Sequence, residues 1–216
     1  MWRLFSKKKI PSSQHGEITI ERFFGRVVVR AGGVQQTGSK VDEIWRSALQ
    51  RLEKAFGQPP RVLLLGLGAG GVVKELHTIF PGCTVTTVEH DPHMIAITRE
   101  LRLYAPFPEP AIIEGDAGEV IAHHPDHFDL VLVDLYDGRV ASPLVSHETF
   151  LRDIKHHLRP GGIMLMNIFS SEPERMRTAQ EVFGTYAHWP HAANTIGVFW
   201  DTPTPHANTV VKDDIL

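Results

Sequence analysis

The sequence predicts a doubly wound α/β protein with a small β-cap at its N-terminal side, and three observations carry that expectation. From Arg61 onward, apolar runs of strand length alternate with stretches of helical spacing. The first of those runs, Val62-Leu63-Leu64-Leu65, is continuous rather than alternating, as a strand buried on both faces must be. It passes directly into Gly66-Leu67-Gly68-Ala69-Gly70-Gly71, a glycine-rich turn that opens a helix.

In chain order, residues 1–14 read as a flexible basic tail, because Lys7-Lys8-Lys9 interrupts any apolar pattern. Residues 15–58 read as a small N-terminal unit of a β-hairpin plus a helix. Ile18, Ile20 and Phe24 belong to one strand, Val27-Val28-Val29 to the next, and Gly25 turns between them. Ile44, Ala48, Leu49, Leu52 and Phe56 then fall at helical spacing, which predicts a helix over Val41–Phe56. Gly57 stops it and Pro59-Pro60 marks the boundary. Residues 59–216 form the larger domain. After the strand at Val62–Leu65 comes a helix over Val72–Phe80, a strand at Val85–Val88, and a helix over Met94–Leu103 that Asp91-Pro92 caps. Strands at Ala111–Ile113 and Phe128–Leu135 follow, then a helix over His147–Leu158 and a strand at Ile163–Phe169. A helix over Glu174–Phe183 precedes a final hairpin that ends in Thr195–Trp200, for a sheet of seven strands.

Composition narrows the function. The chain has 216 residues, of which 42% are hydrophobic, enough for a proper core. A net charge of -3 gives no electrostatic footprint for nucleic acid. No apolar stretch has the length of a membrane span, and MWRLFSKKKIPSS lacks the apolar region of a secretory signal. Cys83 is the only cysteine, so a reducing, cytoplasmic setting is expected. The 13 histidines include His123-His124-Pro125-Asp126-His127, but none has zinc-site spacing, and no metal is expected.

The candidate site lies at the carboxyl ends of the strands, where open α/β sheets bind ligands. Gly66, Gly68 and Gly70 let a ligand approach the backbone and the helix start. Glu89 ends the second strand of the large domain, where a carboxylate can accept both hydrogens of a ribose diol, with His90 beside it. Glu114-Gly115-Asp116-Ala117 follows the third strand, placing Asp116 and Ala117 where a base would sit. Together these predict a nucleoside-containing ligand. Gly66, Gly68 and Gly71 also satisfy the dinucleotide fingerprint, so an NAD-dependent oxidoreductase or a non-catalytic nucleoside-binding protein stays open. Asp134 and Asp137, three apart after the fourth strand, can hold an amine and take its proton.

Four segments, GLGAGG at 66–71, VEHDP at 88–92, EGDA at 114–117 and DLYDG at 134–138, resemble the spermidine synthase family, aminopropyltransferases on the Rossmann-like class I methyltransferase fold. LRPGGIMLMN at 158–167 is similar to the entry to strand five across that fold, and Gly33–Gln36 with Asp42-Glu43 is similar to the family's small β-domain and first helix. The resemblance implies transfer of an aminopropyl group from a decarboxylated S-adenosylmethionine donor to a small-molecule amine. Methyl transfer from intact S-adenosylmethionine to a small molecule is the alternative. It implies Gly66, Gly68, Ala69, Gly70, Glu89, His90, Asp116 and Ala117 around the donor, and Gln36, Asp134 and Tyr136 around the acceptor, with Asp134 acting on the attacking amine and Asp137 supporting it. A homodimer is left open. The family's loop carries, where Ala69 stands, an aspartate that grips the donor's terminal amine, and after its Asp-Glu pair it carries a channel-lining tyrosine where Ile44-Trp45-Arg46-Ser47 stands here. Alanine at 69 leaves room for the carboxylate of intact S-adenosylmethionine.

Overall fold

A computed structural model describes residues 5–137 and 140–201, without the side chains of Ser39, Lys40 and Asp137. Strands β1 (Phe5–Ser12), β2 (Gly16–Phe23), β3 (Arg26–Ala31) and β4 (Val34–Gln35) form an antiparallel sheet in that order. The stretch expected to be a flexible tail is therefore largely strand. Its lysines are edge-strand residues: Lys7 faces Glu21 at 2.9 Å and Lys9 reaches Glu17 at 3.0 Å across the ladder, while Lys8 reaches Glu100 outside the sheet at 3.3 Å. Lysine on an edge strand also discourages pairing with a foreign chain.

Helix α1 (Ser39–Arg51) ends before the expected Phe56. The chain continues as turns in which Leu52 N–H donates to Leu49 and Ala55 N–H to Leu52. Ala55 and Phe56 still pack on the core from those turns, so helical spacing outlasts the helix.

The larger domain runs β5 (Arg61–Leu65), α2 (Gly71–Ile79), β6 (Thr84–Glu89), α3 (Pro92–Leu101), β7 (Ala111–Glu114), α4 (Ala117–His123) and β8 (Phe128–Val133). A short ribbon of β9 (Tyr136–Asp137) and β10 (Val140–Ala141) leads to α5 (Glu148–His157) and β11 (Leu158–Phe169), then α6 (Arg177–Phe183), β12 (Thr185–His191) and β13 (Asn194–Trp200). The seven-stranded sheet has the order β12-β13-β11-β8-β5-β6-β7. Its β11, β8, β5, β6 and β7 are parallel, and β13 is antiparallel to both neighbours. Leu65 pairs with both Val88 and Val133, so β5, β6 and β8 end level and their loops share one edge.

Alternation along β5 divides the core. Leu64 packs with Trp45 and Leu49 of α1 and Leu76 of α2, while Leu63 and Leu65 pack with Phe150 and Ile154 of α5. A third cluster joins Ile18, Ile20 and Val29 of the cap sheet to Ala69, Met94 and Ile97, seating the cap on the glycine loop and α3. A hydrogen bond of 2.7 Å from Ser12 Oγ to the buried Asp91 pins the end of β1 to the start of α3.

Candidate active site

The glycine loop is shaped by close approaches. Gly66 has φ +96, and a Cβ there would stand 2.3 Å from the Asp134 carbonyl oxygen, so only glycine lets β5 and β8 end side by side. Gly70 caps α2 at φ +86, and a Cβ would press Thr98 Cγ2 at 3.1 Å.

Glu89 holds this loop from below. Its Oε2 accepts from the Leu67 and Gly68 amides at 3.2 and 3.3 Å, and its Oε1 accepts from the Asp91 amide at 3.0 Å. His90 Nδ1 lies 3.3 Å from the same Oε1, and that hydrogen bond raises the imidazole's pKa. Asp116 caps α4, a helix too short to show as a sequence period, by accepting from the Gly118 and Glu119 amides at 2.8 and 3.1 Å. Two of the expected ligand carboxylates thus also organise the loops that present them.

A crevice of about 250 Å³ opens over these strand ends, lined by Gly66, Gly68, Glu89, His90, Asp116 and Ala117, with Gln36, Asp134 and Tyr136 on one side. Gln14 and His15 close its rim from the β1–β2 turn, and the contribution of Gln14 is hidden as long as residues 1–14 read as tail. A second cavity of about 100 Å³ adjoins it, sharing Gln36, Gly66, Gly68, Asp134 and Tyr136 and extending to Asp42, Asn167 and Asn194.

Ala69 and Gly70 line neither cavity. Ala69 is fully buried among Ile18, Val29 and Met94, because the loop turns that residue toward the cap sheet. Gly70 serves the turn itself. Arg46 stands outside both cavities as well, its guanidinium paired with the buried Glu75 by two hydrogen bonds of 2.7 Å. The side chain of Asp137 lies outside the described residues.

Asp134 sits where the cavities meet. Trp45 Nε1 donates to its Oδ2 and Asn167 Nδ2 to its Oδ1, each at 2.9 Å. Burial raises the carboxyl's pKa, and these two bonds offset part of that effect. The network continues: Asn194 Nδ2 donates to Asn167 Oδ1 at 3.0 Å and to the Tyr136 hydroxyl at 3.2 Å, and that hydroxyl donates to the Asn167 carbonyl at 3.1 Å. The carboxylate is therefore fixed in aim, screened from bulk water and more basic than a surface aspartate. Such a group can orient an amine and accept its proton. Trp45, Asn167 and Asn194 escaped the sequence reading. Asn167 carried a signal, since it is an amide interrupting an apolar run at the carboxyl end of a core strand.

A family profile described as "Methyltransferase domain" matches residues 62–162. The polyamine aminopropyltransferase of Neisseria meningitidis serogroup A is 30% identical over 130 residues, 59% of this chain and 49% of that protein. The chain spans about half the length of the curated relatives it matches. A probable spermidine synthase from Corynebacterium glutamicum superposes with a TM-score of 0.76 at 18% identity, covering 95% of this chain and 86% of that one. The chain has a spermidine synthase-like fold of the class I methyltransferase type. A spermidine synthase in complex with the transition-state analogue AdoDATO shares this fold, with a TM-score of 0.72 at 18% identity over 92% of this chain and 75% of its own. The small antiparallel cap sheet, expected as a hairpin, is present with four strands.

Proposed function

We propose that the protein transfers an aminopropyl group from an S-adenosyl sulfonium donor to a small amine. The observation that carries this reading is the position of Asp134, shared by the nucleoside-sized crevice and the second cavity. In the reaction the amine nitrogen attacks the carbon next to sulfur, the carbon–sulfur bond breaks, and its electron pair stays on sulfur as a neutral thioether. The nitrogen must give up a proton, and Asp134 is placed to receive it. Alignment of the amine and exclusion of water supply most of the remaining acceleration.

The relatives named for aminopropyl transfer support this assignment, as does the structural neighbour that binds AdoDATO. The Leu67 and Gly68 amides, which a dinucleotide pyrophosphate would claim, donate instead to Glu89, and this favours a sulfonium donor over NAD. The match to a methyltransferase domain supports methyl transfer as a second reading. Identification of the nucleoside product by mass separates the two, since aminopropyl transfer releases methylthioadenosine and methyl transfer releases S-adenosylhomocysteine. If calorimetry finds no binding of methylthioadenosine, S-adenosylmethionine or its decarboxylated form, the assignment is wrong in both versions.

Glu89→Gln is expected to weaken methylthioadenosine binding by about 1–3 kcal/mol, the value of a charge-assisted hydrogen bond. An amide can satisfy only one side of the present arrangement, because its NH2 would face either the loop amides or the Asp91 N–H. Unchanged affinity by calorimetry would take the residue out of the ligand site and leave it as a loop staple.

A further inference from the structure

The second cavity carries one feature that the transfer chemistry at Asp134 leaves unused. Asp42, on the first turns of α1, lines this cavity, and its Oδ1 is buried with no hydrogen-bond partner. That oxygen lies against Gly71, where a Cβ would stand only 2.4 Å away. Gly71 is helical with no positive φ, so it is space for Asp42 rather than backbone freedom that glycine provides there.

The charges around the cavity are one-sided. Among the described residues, its only carboxylic acids are Asp42 and Asp134, and no Lys, Arg or His lines it. Of the two cations that act on Asp42, Arg46 is held by Glu75 in a two-point pair and Lys74 is exposed and lines neither cavity. Gln35 is tied to the Thr37 carbonyl, and Asn167 and Asn194 are spent on the Asp134 network. A buried carboxylate oxygen without a donor is unfavourable, so the arrangement calls for one to arrive with a ligand.

We propose that Asp42 is a specificity-determining anchor for an alkylammonium group, holding a charged amine in the second cavity while Asp134 handles the reacting nitrogen. This rests on the reading of the protein as an amine-alkylating enzyme. The ammonium has two sources, the tail of a decarboxylated donor or the distal end of a diamine acceptor. Burial, then the nearby Glu75, raises the Asp42 carboxyl, against the opposing pull of Arg46 and Lys74.

The test compares the wild type with Asp42→Asn in a donor arm and an acceptor arm. Calorimetry measures affinity for decarboxylated S-adenosylmethionine and for methylthioadenosine, which has no ammonium. Steady-state kinetics measures KM for 1,4-diaminobutane and for butylamine, its matched monoamine. The expected result is a loss of about tenfold or more in one arm, the size of a lost charge-assisted pair. A fall in decarboxylated-donor affinity assigns the site to the donor, and a rise in KM for the diamine alone assigns it to the acceptor. Methylthioadenosine should bind both proteins equally. Gly71→Ala gives an independent variant that introduces a good helix former and displaces the Asp42 carboxylate, and it should move the same arm. If methylthioadenosine binds normally while neither arm responds in either variant, the Asp42 proposal is overturned and the transferase reading stands. Failure of the wild type to bind methylthioadenosine, S-adenosylmethionine or its decarboxylated form overturns both.

Discussion

Asp134→Asn should lower turnover at least about a hundredfold while methylthioadenosine affinity stays within about threefold, the pattern of a lost general base. The network makes this a clean experiment. Asparagine is nearly isosteric and can still accept from Trp45 or Asn167, while its NH2 must face the other donor. That mismatch costs about 1–3 kcal/mol. An effect of opposite sign accompanies it. Burial holds the Asp134 carboxyl above its unfolded value, so the contribution to stability is full at low pH and is lost as pH rises through the folded value. At neutral pH the charge is therefore a burden that asparagine removes, and the unfolding midpoint should shift by no more than a few degrees. Because only the ionised carboxylate accepts a proton, wild-type turnover should rise with pH through the folded value of Asp134. The residual rate of the variant should lack that limb. Near-normal turnover, with or without the limb, would reduce Asp134 to a structural acceptor for Trp45 and Asn167.

What could be read from the chain and what could not divide along a physical line. The continuous apolar run at Val62–Leu65, the glycines after it and the carboxylates ending β6 and β8 are local patterns, and each was legible at its own position. Elements whose signal is weak or masked were lost. Strand β1 was obscured by three lysines whose partners lie on β2 and α3, and α4 has only seven residues and little apolar periodicity. The site itself was half legible, because its ligand-facing side comes from strand ends while its buttress comes from contacts far apart in sequence. Trp45 reaches Asp134 across 89 residues, and Asn167 across 33. No local pattern encodes such a pair. Side-chain direction within the loop was equally hidden: Gly68 and Gly71 line cavities, whereas Ala69 between them faces the cap sheet.

That direction decides the outcome of Ala69→Asp. If position 69 faced the donor tail, aspartate there would strengthen binding of decarboxylated S-adenosylmethionine by roughly tenfold, the value of about 1.4 kcal/mol. The structure leads to a different result. Ala69 is 0% exposed and packs with Ile18, Val29, Met94 and Ile97, which are at most 2% exposed. A carboxylate forced into that cluster pays several kcal/mol of desolvation, or protonates and still leaves polar atoms among methyl groups. We expect a loss of about 3 kcal/mol or more, a fall of roughly 6–12 °C in unfolding midpoint for a chain of this size. The penalty carries a pH signature. The introduced acid would have its folded pKa raised above the unfolded value of about 3.9, so the cost is least below that value and grows as pH climbs through the folded one. Thermal unfolding of both proteins near pH 4 and pH 8 should therefore show a wider gap at the higher pH. A variant as stable as the wild type at both pH values, and tighter for the decarboxylated donor, would mean that residue 69 turns toward the crevice after all. The cap sheet would then have to sit differently on the loop, because Ile18 and Val29 would lose the side chain they pack against.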